Sequence, residues 1–270
     1  MIARSYLPLA LLLLLSGCAT PVTRVETAGV IDAILASPTR PAADRARDAY
    51  RHPKQTLLFF GLRPGMTVAE ISPGIGWYTQ VLAPLLRDKG KLIAVVDAPG
   101  NPGVDRERAA FRAVLDSAPE RFDRVETVDF TPGGAPFVAA GSVDMVVTFR
   151  NIHNWMEGGQ AEAAFAAFYR ALKPGGVLGV EEHRGNATVA QDPKARSGYV
   201  NQAYAVKLIE AAGFRLVGVS EINANPKDTK DYPRGVWTLP PSYAEGDKDR
   251  AKYAAIGESD RFTLKFVKPR

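Results

Sequence analysis

The chain has 270 residues, 46% of them hydrophobic, enough for one α/β domain of ordinary size with appendages. Its net charge of +5 is mild, and no stripe of Lys and Arg interleaved with aromatics marks a nucleic-acid-binding face, so nucleic acid is not an expected partner. A single cysteine excludes an internal disulfide, and with only three histidines beside it no metal site is expected.

In chain order, Arg4 precedes an apolar run from Tyr6 to Leu15, too short to span a bilayer and the right length for a signal-peptide core. The run ends in Leu15-Ser16-Gly17-Cys18, which resembles the lipobox of bacterial lipoproteins. That resemblance implies a signal peptide over 1–17 and lipidation of Cys18. With Ala19 next, it also implies a bacterial cell-envelope protein anchored in the outer membrane and facing the periplasm. Residues 18–40 are small, polar and punctuated by proline, and read as a lipidated tether. The folded domain is then expected over 41–270. It opens with a helical segment, 41–61, in which Arg45, Asp48 and Arg51 read as a solvated, ion-paired face, with capping of a substrate side as the alternative. Pro53 starts a short apolar helix through Phe60, and Gly61 stops it.

The stretch Val68-Ala69-Glu70-Ile71-Ser72-Pro73-Gly74-Ile75-Gly76-Trp77-Tyr78 organises the rest of the chain. A β-type run ends in an acid, two glycines one residue apart allow a tight turn, and Tyr78, Val81, Leu82 and Leu85 line one face of a helix. Strand, glycine turn and helix N-terminus together suit a nucleoside-bearing ligand. The dinucleotide fingerprint requires a third glycine where Thr79 stands, which disfavours a nicotinamide-linked oxidoreductase. Lys91–Val96 reads as a second, buried strand ending in Asp97, 27 residues after Glu70, where an acid accepts hydrogen bonds from ribose hydroxyls.

Glu70-x-Ser72-x-Gly74-x-Gly76 matches the E/D-x-G-x-G-x-G motif of class I S-adenosylmethionine (SAM) methyltransferases, with Ser72 in place of the first glycine. From about Leu57 to Val267 the chain resembles that superfamily. The resemblance implies an α/β, Rossmann-like sandwich of seven strands, mostly parallel with one antiparallel strand, and SAM as cofactor. It places Glu70, Ser72, Gly74 and Gly76 at the methionine side of the cofactor, Asp97 at the ribose and Asp129 at the adenine. Arg150 is assigned to the cofactor as well.

Further along, a charged helix is expected from about Val104 to Ala118, and a third strand from Arg124 to Phe130. A fourth strand, Val143–Thr148, leads into Phe149-Arg150-Asn151-Ile152-His153-Asn154-Trp155. Ligands of open α/β sheets bind beyond the carboxyl ends of the strands, so this loop is the expected seat of chemistry. His153 is a candidate general base, with a loop-shaping hydrogen-bonding role as the equal alternative. The Asn/Asp-Pro-Pro-Tyr motif of base-amine and glutamine-amide methyltransferases is absent, which points to a small-molecule acceptor. The next helix stops at the turn Lys173-Pro174-Gly175-Gly176, and strand Val177–Val180 ends at Glu181-Glu182-His183-Arg184. There His183, a second catalytic candidate, and Glu181 face either an acceptor or only each other. The SAM-binding core is expected to span 62–220, with a long insertion over 221–260 acting as a lid or acceptor-site wall, or else disordered. Alternation over Arg261–Val267 marks a closing strand within 261–268. The implied activity is SAM-dependent methyl transfer. Because SAM is a cytoplasmic metabolite and the lipobox directs export, the alternative is an inactive binding lipoprotein of the same fold, for a nucleoside or lipid-like ligand.

Overall fold

The computed structural model describes residues 23–270, so Cys18 and the signal-peptide segment lie outside the described residues. No helix among the described residues is long and apolar enough to cross a membrane. The helices are α1 (Arg24–Ala36), α2 (Ala42–Ala46), α3 (Asp48–Arg51), α4 (Pro53–Phe60), α5 (Thr79–Leu86), α6 (Pro102–Asp116), α7 (Pro119–Phe122), α8 (Ile152–Glu157), α9 (Ala161–Ala171), α10 (Gln202–Ala211) and α11 (Arg250–Ile256). The strands are β1 (Thr67–Ile71), β2 (Lys91–Asp97), β3 (Glu126–Phe130), β4 (Val143–Phe149), β5 (Leu172–His183), β6 (Arg215–Ser220) and β7 (Arg261–Val267).

These strands form one seven-stranded sheet in the order β3-β2-β1-β4-β5-β7-β6. The first five are parallel, and β7 runs antiparallel between β5 and β6. Alternation along the strands divides the core into two layers. Ala69, Ile71, Ile93, Val95, Val143 and Val146 pack with Trp155, Phe165 and Phe168 on one face. Val68, Leu92, Ala94, Met145 and Val147 pack with Leu57, Phe60, Leu82 and Phe111 on the other.

Two sequence expectations need correction. Residues 24–36 are not tether but a 13-residue helix, started by a reciprocal capping box between Thr23 and Glu26. Its Ile31 is buried in the same layer as Leu57 and Leu82. Proline punctuation on either side hid a helix of low amphipathicity. The Lys173–Gly176 stretch does not precede the fifth strand but belongs to it. Its register against β4 shifts between Val143 and Met145, with Gly175 at φ +79°, while Gly175 N and Gly176 O bond Lys268. The 221–260 segment is ordered, with a 3-10 turn at Gly235–Thr238 followed by α11.

Candidate functional site

At the carboxyl ends of β1 and β2, Ser72, Pro73, Gly74, Val96, Asp97, Val104, Glu107, Arg108 and Phe111 line a narrow cleft. The turn after β1 depends on glycine: Gly74 and Gly76 have φ of +61° and +82°, where a side chain is strained. A Cβ on Gly76 would also sit 3.1 Å from the Phe111 ring, so this glycine lets α6 close over the turn. Ser72 holds φ +45°, a left-handed conformation that glycine would adopt more easily, and its hydroxyl donates to Asp97 Oδ1 at 3.0 Å. Asp97 Oδ2 has no partner among the described residues and is free to accept from a ligand hydroxyl. Burial raises the Asp97 pKa, against the pull of the Ser72 hydrogen bond and Arg108. Burial and then Asp97 itself raise that of Glu107. Two carboxylates thus flank the cleft, a donor-seeking arrangement that suits a ribose diol.

Three residues expected at the cofactor stand elsewhere. Glu70 does not line the cleft: it is buried beneath the turn, where its carboxyl accepts from the Thr79 hydroxyl at 2.7 Å. Burial pushes its pKa up to about 8. Alternation along β1 turns Glu70 into the α5 layer, so it braces the start of α5. Asp129 is exposed at the rim, and its carboxylate is taken by Arg108 Nη1 at 2.8 Å. The same Arg108 nitrogen donates to the Asp97 carbonyl at 2.7 Å and so ties β2 to β3. Arg150, at φ +63°, turns away from the cleft and pairs with Glu181 at 2.8 Å.

Arg150 belongs to a second cluster beyond β4, β5 and β7, where His153 and His183 also stand. His153 is buried, and its Nδ1 lies 3.1 Å from Glu182 Oε1. Glu182 also accepts from the backbone N–H groups of Ile152 (2.6 Å), His153 (3.3 Å) and His183 (2.8 Å). Because that carboxylate can only accept, the His153 proton sits on Nδ1, leaving Nε2 as a proton acceptor. His183 lies 5.4 Å from His153 ring to ring, and its Nδ1 contacts Ser259 Oγ at 2.5 Å. Burial, His153 and three arginines hold the His183 pKa well below the usual histidine range, so His183 is neutral and a weaker base. The insertion supplies the outer wall here, with Trp237 edge-on to His153 at 5.9 Å.

His153, Glu182 and His183 bring possible ligand atoms within 4.8 Å of one another. The bonds to Glu182 fill its oxygens, and neighbouring arginines oppose a cation.

Sequence reasoning also missed three residues. Arg51, expected on a solvated face, is 5% exposed and lies 4.5 Å from the Trp77 ring centroid. Asn151 donates to the carbonyls of Ile71 (3.0 Å) and Ser72 (3.3 Å) and to the Thr148 hydroxyl (3.1 Å), locking the ends of β1 and β4 together. Asn223, from the insertion, donates to Glu181, Thr56 and Thr263. Only Asn151 had a sequence signal, its place directly after a strand.

Comparison with solved structures bears on the fold. A SAM-dependent methyltransferase from Aquifex aeolicus superposes with a TM-score of 0.55 at 18% identity, over 89% of this chain and 98% of that one. The cyclase SpnF superposes with a TM-score of 0.59 at 18% identity, over 89% of this chain and 92% of SpnF. The chain has the class I methyltransferase fold. Ribosomal RNA large subunit methyltransferase E from two strains of Acidithiobacillus ferrooxidans is 28% identical over 131 residues, covering 46% of this chain. The chain spans 55% of the length of those curated relatives. No family model matches. Within the class I methyltransferase fold, the cleft at β1 and β2 and the cluster beyond β4 and β5 lie on the edge where open α/β sheets bind ligands.

Proposed function

We propose that this protein is a SAM-dependent methyltransferase acting on a small-molecule acceptor. The observation that supports this is a juxtaposition across β1. A glycine-turned cleft with a free Asp97 oxygen lies on one side, and a His153–Glu182 pair with a free imidazole nitrogen lies on the other. The cleft residues fit the cofactor: Gly74 and Gly76 let the backbone approach it, and Asp97 with Ser72 offers acceptors to the ribose. When bound, SAM supplies an electrophilic methyl group on a sulfonium sulfur. The protein's part is mostly positioning, and His153 Nε2 takes the acceptor's proton while Glu182 stabilises the imidazolium formed. The wall of residues 221–260 encloses the acceptor side, which favours a small molecule over the ribosomal RNA named for the curated relatives.

The test is calorimetric titration of SAM and S-adenosylhomocysteine into the chain from residue 19 onward. Micromolar binding is expected. No heat and no thermal stabilisation of well-folded protein would sink the enzyme reading and promote the exported binding lipoprotein, since the fold neighbour SpnF is a cyclase and the fold alone does not fix the chemistry.

Export and anchoring through Cys18 belong to the same reading, supported by Leu15-Ser16-Gly17-Cys18. Palmitate labelling of the full-length chain in bacterial cells is expected, with loss in Cys18→Ala; equal labelling of both would refute it.

A further inference from the structure

Beside the two histidines, positive charge exceeds negative. Glu181 and Glu258 face Arg47, Arg51, Arg150 and Arg261. The hydrogen bonds show how unevenly the charges are matched. Arg47 Nε donates to Glu258 at 2.6 Å, and Arg261 Nη1 lies 3.2 Å from both Glu181 and Glu258. Arg150 uses Nη1 alone, on Glu181. Arg51 makes one long contact, from Nε to Glu258 at 3.4 Å. Among the described residues, neither terminal nitrogen of Arg51 has a partner, nor do Nε and Nη2 of Arg150. Arg261 Nε is buried without a partner as well. Glu182 does not relieve this, because its oxygens are taken by backbone N–H groups and His153.

A buried charge that is under-matched by its partner is costly and persists where something else offsets it. Burial and then the nearness of Arg150 push the Arg51 guanidinium down to about 9, which reflects that cost. The Arg51 group is also held in place against the Trp77 ring at 4.5 Å, so its fork of donors is oriented before any ligand arrives. A planar fork with free N–H groups matches a carboxylate or phosphate.

We propose that Arg51 and Arg150 form an oxyanion-binding site, and that the methyl acceptor carries a carboxylate or phosphate group seated there. The proposal rests on the methyl-transfer reading and names the class of its acceptor. It assigns the anion to the acceptor rather than to the cofactor because the pair lies at the ends of α3 and β4, beside His153 and His183. The determinants for the nucleoside lie on the other side of β1. Held in this way, the acceptor presents its nucleophile to His153 while its charge offsets the surplus.

The test measures thermal unfolding of the whole chain in inorganic phosphate, acetate or malonate against sodium chloride at matched ionic strength, for wild type, R51Q and R51K. R51K keeps the charge that pairs with Glu258 and guards against simple misfolding. At least one oxyanion should raise the wild-type midpoint by about 4 °C or more beyond chloride. That gain should fall by half or more in R51K and vanish in R51Q. Equal gains in wild type and both variants would mean generic salt stabilisation and overturn the proposal, as would no gain beyond chloride. S-adenosylhomocysteine and 5′-methylthioadenosine, which lacks the amino-acid carboxylate, form the second arm. Unchanged affinity of R51K for both is expected. Selective loss of S-adenosylhomocysteine affinity would give the site to the cofactor and overturn the proposal. Failure of wild type to bind S-adenosylhomocysteine, with the oxyanion gain intact, would remove the methyl-transfer reading instead.

Discussion

The cleft at β1 and β2 and the polar cluster beyond β4, β5 and β7 are built on opposite principles. The cleft is made largely by backbone: two glycines in left-handed conformations, a helix start and one carboxylate with a free oxygen. The cluster is made by side chains contributed by α3, the turn after β4, α8, β5, the 221–260 segment and β7. In the first, loss of one group costs binding and leaves the fold intact. In the second, each group holds its neighbours, so binding and stability are coupled.

The comparison can be broken most decisively at Glu258. Replacing it with alanine leaves Arg47, Arg51 and Arg261 facing Glu181 alone, and removal of one member of a buried pair costs about 3–5 kcal/mol. Urea denaturation should show that loss, and a change within the range of an exposed substitution would refute the coupled cluster. Burial alone would raise the Glu258 pKa, but Arg51 and Arg261 overcome it and bring it down to about 2. A folded-state pKa below the ordinary 4.5 means stability that is present above pH 4.5 and lost as the pH falls toward 2. The alanine variant should therefore show a flatter acid limb.

In the cleft the expected change is smaller and of another kind. Asp97→Ala should weaken S-adenosylhomocysteine binding by about 10- to 100-fold, the worth of one or two charged hydrogen bonds, with little change in unfolding midpoint. A large loss of stability with affinity retained would make Asp97 a structural residue. A further effect, read by pH rather than by affinity, belongs to Glu70 beneath the turn. Its folded-state pKa of about 8 exceeds the ordinary 4.5, so folded protein keeps a proton that the unfolded chain releases. Wild type should lose stability as the pH rises from 4.5 to 8. Glu70→Gln should match wild type near pH 5 and exceed it by about 2 °C or more at pH 8. Parallel pH profiles would show that Glu70 is not buried as a neutral acid.

The same contrast explains what the sequence revealed. Strand, glycine turn and helix are local patterns, so Ser72, Gly74 and Asp97 were legible as a group from the sequence alone. The mostly parallel seven-stranded sheet with one antiparallel strand followed from the resemblance those residues carry, though not its strand order. Arg51 was not legible, because its charge-dense helix has the pattern of a solvated face and only tertiary packing on Trp77 buries it. Arg150 and Asp129 were placed by their positions at strand ends, yet which way a side chain turns there depends on a partner far along the chain, Glu181 for one and Arg108 for the other. Glu70 was recognised as part of a motif, but its direction follows from strand alternation, which puts it under the turn rather than in the cleft. Asn223 came from a segment whose length alone was informative.

The early start of α1 also fixes a length. The helix is capped by Thr23, five residues after Cys18. Five residues at full stretch reach no more than about 18 Å. If Cys18 is acylated as proposed, the domain would be moored on a short leash at the bilayer rather than ranging on a 23-residue tether. Molecules in or just above the lipid headgroups would then be its nearest neighbours.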